Sequence, residues 1–186
     1  IMEKTPRPII IVTSSLDHNE VHLSFQALKV GALALVNKPS GPGSAHYLDD
    51  VNNLLEKVRL MSEVKVVSRF PSTRNIKPIK ISSRKKGNYK VVAIGASTGG
   101  PAALATILKM IPEDFQVPIL IVQHISEGFD SGLVDWLQLS TKLKIALARD
   151  GQSIDEGTIL VAPHGKHMGV TQKDKIKLDF ESSYES

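Results

Sequence analysis

The sequence predicts an α/β protein with parallel sheets, in two units joined by a basic linker. Short aliphatic runs alternate with stretches of helical apolar spacing, first over residues 8–62 and again over residues 90–148. Between them, residues 65–89 combine prolines, serines and basic side chains without a helical period. These observations divide the chain into residues 1–64, the linker 65–89 and residues 90–186.

The first unit has the order strand, helix, strand, helix. Its first strand is a continuous apolar run that ends in polar residues, which is typical of a parallel strand buried on both faces. The predicted elements are a strand over 8–13, a helix from Asp17 or Asn19 to Gly31, a strand over 32–36 and a helix over 46–62. The apolar positions of the last helix that we expect to face inward are Leu48, Val51, Leu54, Leu55 and Val58.

The second unit repeats the alternation. Its predicted elements are strands over 90–95, 118–123 and 143–148 and helices over 101–110 and 128–140. Right-handed crossovers of this kind give a doubly wound parallel sheet. Three further strand-like runs, 157–162, 167–171 and 175–180, are separated by turn residues and predict an antiparallel meander at the edge of that sheet.

Neither unit has the number of elements expected of a closed domain. Two strands and two helices are too few for a doubly wound domain, and the chain begins with Ile1 rather than methionine. We therefore expect residues 1–64 to be the back half of one domain. Residues 90–186, which stop in a strand-and-turn region, are expected to be the front part of another.

The basic charge is concentrated in one segment. Residues 65–90 contain nine basic and no acidic side chains, whereas the rest of the chain has 14 basic and 19 acidic ones, a net charge of −5. A nucleic-acid-binding arm is one interpretation, but only Phe70 and Tyr89 provide aromatic interleaving. A solvated linker is the favoured interpretation, and no nucleic-acid partner is expected.

Composition excludes several classes of protein. The chain has no cysteine, which rules out a disulfide scaffold and a thiolate nucleophile. Its aliphatic runs, such as residues 119–122, are far shorter than the roughly 20 residues of a membrane-spanning helix. With no secretory pattern at the start, a cytoplasmic protein without membrane insertion is expected.

Residues 95–101, Gly-Ala-Ser-Thr-Gly-Gly-Pro, end an apolar strand and precede a helix. Glycines permit a tight turn and close backbone approach, and Pro101 suits the first turn of a helix. Such a junction can bind an anion at the helix N-terminus, or it can expose the Ser97 hydroxyl as a nucleophile beside an oxyanion-binding N–H group. A helix cap is the plainest alternative.

The following strand favours the nucleophile. A dinucleotide-binding fold needs an acidic residue about 20 positions after the glycines, but this strand ends in Gln123 and His124. Neighbouring parallel strands share one crevice at their carboxyl ends, so Ser97 and His124 are expected to lie side by side. An imidazole ordinarily titrates near neutral pH and can act as the base for a serine. A non-catalytic nucleotide-phosphate-binding module remains the alternative.

A carboxylate to orient His124 is not evident. Glu127 and Asp130 are close to it in sequence, and Asp150 and Asp155 occur in loops. Residues 162–168 contain two histidines beside a turn, but no further ligand has a recognisable metal spacing, so a turn or pocket wall is favoured over a metal site.

These motifs resemble the CheB family of chemotaxis response regulators, the protein-glutamate methylesterases. The carrying residues are the motif at 95–101, Val-Gln-His at 122–124, Ile-Leu-Val-Ala-Pro at 159–163 and His-Met at 167–168. The run 10–16, Gly-Ala at 31–32 and Lys-Pro at 38–39 resemble the back half of a flavodoxin-like receiver domain. The resemblance covers nearly the whole chain.

The resemblance implies a carboxylic ester hydrolase that acts on glutamyl methyl esters of chemoreceptors and also deamidates receptor glutamines. It implies Ser97 as nucleophile, His124 as base and the Thr98 N–H as oxyanion donor, without a metal or organic cofactor. His167 is a candidate pocket residue. Thr13 and Lys38 would be the receiver switch residues that respond to phosphorylation by a sensor histidine kinase.

The chain also departs from the family pattern. The phosphoacceptor aspartate is expected before Ile1 and the catalytic aspartate after Ser186, so residues 1–186 alone are expected to turn over little. Leu35 replaces the usual aromatic switch residue of receivers, and His164 interrupts the usual Ala-Pro-Gly-Gly-like turn.

Overall fold

A computed structural model describes residues 1–2, 4–14, 18–66 and 90–180, with backbone only for 18–22. The chain divides into two compact units, Ile1–Lys80 and Ile81–Ser186. The candidate cap Asp17 and nearly all of the predicted linker, residues 67–89, lie outside the described residues. The linker and nucleic-acid-arm interpretations therefore stay predictions.

The first unit has its four elements in the predicted order. They are β1 (Ile10–Thr13), α1 (His18–Lys29), β2 (Ala34–Asn37) and α2 (Tyr47–Ser62). β1 and β2 pair in parallel, with Thr13 opposite Asn37 at the carboxyl end. Phe25 of α1 and Val36 of β2 are almost completely buried, so α1 and the two strands share a core.

The expected inner face of α2 is wrong at three of five positions. Leu48 is 70% exposed, and Leu55 and Val58 are also exposed, whereas Met61 is buried. The described sheet of this unit has two strands. α2 contacts β2, and the other two predicted inner positions, Val51 and Leu54, are only partly buried.

The second unit begins with the predicted strand and helix alternation. Its elements are β3 (Val92–Ala96), α3 (Gly100–Met110), β4 (Ile119–Gln123), α4 (Asp130–Gln138), β5 (Lys144–Leu147), β6 (Thr158–Val161), β7 (Lys166–Val170) and β8 (Ile176–Phe180). A four-stranded parallel sheet has the strand order β3-β4-β6-β5. This confirms a mixed α/β architecture with a parallel sheet.

The predicted antiparallel meander is wrong for β6. This strand lies inside the sheet and pairs in parallel with both β4 and β5. Ile159, Leu160 and Val161 are at most 2% exposed, as expected of a strand covered on both faces. Only β7 and β8 form an antiparallel hairpin, which is a separate two-stranded sheet.

The two faces of the parallel sheet are covered differently. Within residues 90–180 the helices α3 and α4 contact each other, which places both on one face, as two successive right-handed crossovers in one direction require. The hairpin packs instead on Leu120 and Leu160, through Met168, Ile176 and Leu178. The described part of this unit therefore has helices on one face and a hairpin on the other, rather than helices on both.

Candidate active site at the ends of β3 and β4

The register between β3 and β4 brings Ser97 and His124 together. Ala96 and Gln123 are the last paired residues, and the His124 N–H donates to the Ala96 carbonyl at 2.9 Å, so Ser97 and His124 follow in register. Directly paired residues of parallel strands point to the same face. The Ser97 Oγ lies 3.5 Å from the His124 Nδ1, and both residues are exposed to solvent.

Two glycines give the turn after Ser97 its shape. Gly99 has φ 74°, a left-handed conformation that side chains rarely adopt. At Gly100, an added Cβ would overlap the Gln123 Oε1 and lie 2.9 Å from both the Gln123 Cδ and the Ala96 Cβ. Together they allow α3 to begin directly beside the end of β4, with Pro101 in its first turn as predicted.

The turn leaves hydrogen-bond donors beside Ser97. The Ser97 carbonyl accepts from the Gly100 N–H at 2.8 Å, whereas the N–H groups of Thr98 and Gly99 have no protein acceptor in the described part of the chain. These donors lie at the N-terminal end of α3, where the helix dipole is positive. Such donors can stabilise an oxyanion that forms next to the serine.

Gln123 contributes to the site and received no individual role from the sequence. Its side chain is 8% exposed, and its Nε2 donates to the carbonyls of Ser97 and His124, each at 2.9 Å. Its Oε1 is buried and accepts no hydrogen bond from the described residues. The sequence feature that could have indicated this role is a polar residue at the last position of a buried strand.

No carboxylate completes a triad within the described residues. Asp130 accepts instead from the His164 N–H at 3.2 Å, and Asp150 accepts from the Leu178 N–H at 2.8 Å. The His124 ring forms no hydrogen bond with a carboxylate anywhere in residues 90–180. The structure therefore contains a serine and histidine pair and the donors around it.

His164 and His167, the other two histidines of the second unit, have contacts that do not involve Ser97. The His164 Nδ1 lies 2.8 Å from the carbonyl oxygen of Ile125, in the loop after β4. His167 is exposed on β7 opposite Asp179, on the side of the hairpin that alternates with the partly buried Met168. The structure does not bring His167 to Ser97, and its assignment to a pocket stays a prediction.

Thr13 and Lys38 lie at the carboxyl ends of β1 and β2 in the first unit. The Lys38 N–H donates to the Thr13 carbonyl at 2.7 Å. Lys38 is exposed and Thr13 is partly buried. Their assignment as switch residues also stays a prediction.

The described ranges contain neither a candidate metal site nor a candidate membrane-spanning helix. There, no group of three or more His, Cys, Asp or Glu residues is placed to hold a metal ion. No helix within the same ranges is both long and apolar enough to cross a bilayer.

Comparison with known proteins gives consistent matches. The sequence model of the CheB methylesterase family matches residues 92–186. A relative from Syntrophus aciditrophicus, named protein-glutamate methylesterase/protein-glutamine glutaminase 1, is 42% identical over 184 residues, which are 96% of this chain and 52% of the relative. A similarly named protein from Anaeromyxobacter dehalogenans is 44% identical over 92% of this chain and 50% of its own length.

Among solved structures, the CheB methylesterase catalytic domain of Thermotoga maritima is similar, with 32% identity and a TM-score of 0.49. That match covers 53% of this chain and 54% of the other. The chain spans about half the length of the curated relatives it matches.

Proposed function

Because this chain belongs to the CheB methylesterase family, we propose that the full-length protein hydrolyses glutamyl methyl esters on chemoreceptors. Deamidation of receptor glutamines is the related activity, in line with the double name of its relatives. The observation that supports this function best is the 3.5 Å approach of the Ser97 Oγ to the His124 Nδ1 on adjoining strand ends. Serine and base pairs in unliganded enzymes are often this long and tighten when substrate binds.

In the first half-reaction, the Ser97 Oγ attacks the ester carbonyl carbon while His124 takes the hydroxyl proton. The carbonyl oxygen becomes an oxyanion and accepts a hydrogen bond from the Thr98 N–H. When the tetrahedral intermediate collapses, His124 returns the proton to the methoxy group and methanol leaves. A glutamyl ester of Ser97 remains.

In the second half-reaction, His124 deprotonates a water molecule that attacks the acyl carbon. The same Thr98 N–H stabilises the second oxyanion. Collapse breaks the bond to Ser97, the serine recovers its proton from His124, and the glutamate carboxylate is released. A glutamine substrate would lose ammonia in place of methanol, by the same sequence.

The first unit is proposed to regulate this site as a receiver domain in two-component signalling. Thr13 and Lys38 would contact a phosphoryl group donated by a sensor histidine kinase, at the carboxyl ends of β1 and β2. A cation and a hydroxyl are suited to bind phosphoryl oxygens. The whole protein would then act in the cytoplasm on the cytoplasmic parts of chemoreceptors.

The test is methanol release from methylated receptors by the full-length protein and its Ser97→Ala variant. Loss of the nucleophile should lower kcat by about 10⁶-fold, the effect of removing a catalytic serine in serine proteases. Ser131→Ala, at an exposed position of α4, is the matched control and should keep the full rate. Equal rates for Ser97→Ala and the unmodified protein would refute the proposed function.

A further inference from the structure

We propose that Gln123 is a positioning residue of this active site, which holds the Ser97 and His124 backbones together and orients the Thr98 N–H. The proposal rests on the proposed function, because it assigns a role within the same reaction. It gives Gln123 no contact with substrate.

The side-chain amide of Gln123 bridges the two reactive residues. Its two Nε2 protons are directed at two carbonyl oxygens, those of Ser97 and His124, each 2.9 Å from the nitrogen. Rotating the amide by half a turn would place Oε1 against both carbonyl oxygens, which repel it. The hydrogen-bond network therefore determines the orientation of the amide.

The bond to the Ser97 carbonyl also orients the next N–H group. In a trans peptide unit, the carbonyl and the following N–H point in opposite directions. The Ser97 carbonyl is held on the buried side by Gln123 and by the Gly100 N–H. The Thr98 N–H must then point away from Gln123, toward the open side of the turn where an oxyanion would form.

Packing restricts the side chain to this position. Gly100 lies so close to the Gln123 amide that any side chain there would displace it, and the amide is buried between α3 and the strand ends. The Oε1 has no partner among the described residues. The side chain is therefore held by this packing and by its two donated hydrogen bonds.

The same unit contains a matched control, Gln138. Its Nε2 donates to the carbonyls of Thr141 and Leu143 at 3.2 and 3.0 Å, and its Oε1 accepts from the Ile145 N–H at 3.0 Å. Gln138 therefore bridges two carbonyls as Gln123 does, but between α4 and β5. Replacing either glutamine by methionine removes the same kind of bridge at similar side-chain volume.

The experiment compares Gln123→Met with Gln138→Met in the full-length protein, using methylated receptors as substrate. For Gln123→Met we expect kcat to fall by about 10²-fold, which is the cost of losing one well-placed oxyanion donor, with KM changed less than about twofold. Gln138→Met should keep both kcat and KM within about twofold of the unmodified protein, even if it lowers the melting temperature as much as Gln123→Met does. Equal kcat values for the two variants would overturn the proposal.

A spectroscopic measurement separates positioning from general stability. After Ser97 reacts with a phosphonate, the Thr98 amide proton should shift strongly downfield as it binds the phosphonyl oxygen, and this shift should be absent in Gln123→Met but kept in Gln138→Met. The same shift in both variants would contradict the proposed orientation of Thr98.

If Gln123→Met does not fold, the unmodified protein still provides a test. The Nε2 protons of Gln123 should exchange with solvent at least about tenfold more slowly than those of the exposed Gln172. The reason is that the two Nε2 protons of Gln123 are buried and hydrogen-bonded. Equal exchange rates would refute the bridge. The outcomes also remain distinct from failure of the proposed function, which would appear as full activity of Ser97→Ala.

Discussion

The carboxyl ends of the paired strands in the two units have the same backbone pairing but place their polar side chains differently. Ser97 and His124 directly follow β3 and β4, whereas Thr13 is the last residue of β1 and Lys38 directly follows β2. In both pairs, the residue after the second strand donates its N–H to the last paired residue of the first strand: His124 to Ala96, and Lys38 to Thr13. The backbone geometry at the two edges is therefore equivalent.

Register makes the difference between them. Ser97 is directly opposite His124, whereas Thr13 is opposite Asn37 and one residue short of Lys38. Side chains alternate along a strand, so the first pair shares a face and the second does not. For Thr13 and Lys38 to bind one group, the long lysine side chain would have to extend past the end of the strand. Ser97 and His124 need no such reach, because the strand register already places them side by side.

The largest expected effect concerns the pair that is in register. His124→Gln keeps a polar group near Ser97 but removes the base, and it should lower kcat for ester hydrolysis by about 10⁶-fold, as much as Ser97→Ala. His164→Gln is the control, since that imidazole is bound to the Ile125 carbonyl in the next loop. An equal loss in both variants would show that the edge as a whole, rather than the registered pair, carries the activity.

A cross-linking test addresses the register directly, since the chain has no cysteine of its own. Adjacent paired positions have Cα separations near 5 Å, which suits a disulfide. The double variants Ser97→Cys/His124→Cys and Ser14→Cys/Lys38→Cys should oxidise readily. Thr13→Cys/Lys38→Cys should oxidise at least about tenfold more slowly, because its side chains point to opposite faces.

The measurement is the fraction cross-linked over time under a mild oxidant, read as a mobility shift on a denaturing gel. Faster oxidation of the Thr13 and Lys38 pair than of the Ser14 and Lys38 pair would remove the contrast between the two edges.

The smallest expected effect concerns the loop after β2. The Ser40 Oγ and N–H donate to the Asp50 Oδ2 at 2.6 and 3.0 Å, and these bonds, chiefly the hydroxyl one, lower the pKa of the Asp50 carboxyl. The bonds therefore stabilise the first unit above the carboxyl's usual pKa of 3.8, and this contribution is lost as the pH falls through the lower folded pKa. Because Asp50 is solvent-accessible, the effect is small.

Asp50→Asn should lower the melting temperature of the first unit slightly at pH 7, and this difference should shrink as the pH falls below the carboxyl's usual pKa, as measured by calorimetry. Asp49→Asn, at the exposed neighbouring position, is the control. A loss for Asp50→Asn that is as large at pH 2 as at pH 7 would mean that the carboxylate charge is not responsible.

Local patterns predicted most elements and the central pair. The apolar runs identified the strands, and the glycine motif with Pro101 predicted a strand-turn-helix junction whose sharp turn the φ of Gly99 confirms. The shared carboxyl edge of parallel strands predicted that Ser97 and His124 lie together. The roles of Thr98, His167, Thr13 and Lys38 are still predictions, since their chemistry depends on bound groups.

The errors concern contacts between elements that are distant in sequence. The run 158–161 resembled its antiparallel neighbours because a strand's apolar pattern reports burial and not its partners, yet it lies between β4 and β5. Gln123 resembled an ordinary strand-end residue, since no local pattern predicts that its amide reaches the Ser97 carbonyl 26 positions away.

The sequence by itself determined the α/β alternation, the turn at Gly99 and the chemical types at each strand end, because these depend on local backbone preference and on the period of apolar residues. Only the tertiary structure decided which strands pair, in which register, and which amide bridges Ser97 to His124. Those outcomes depend on long-range packing, in which one residue of register changes the face on which every side chain lies.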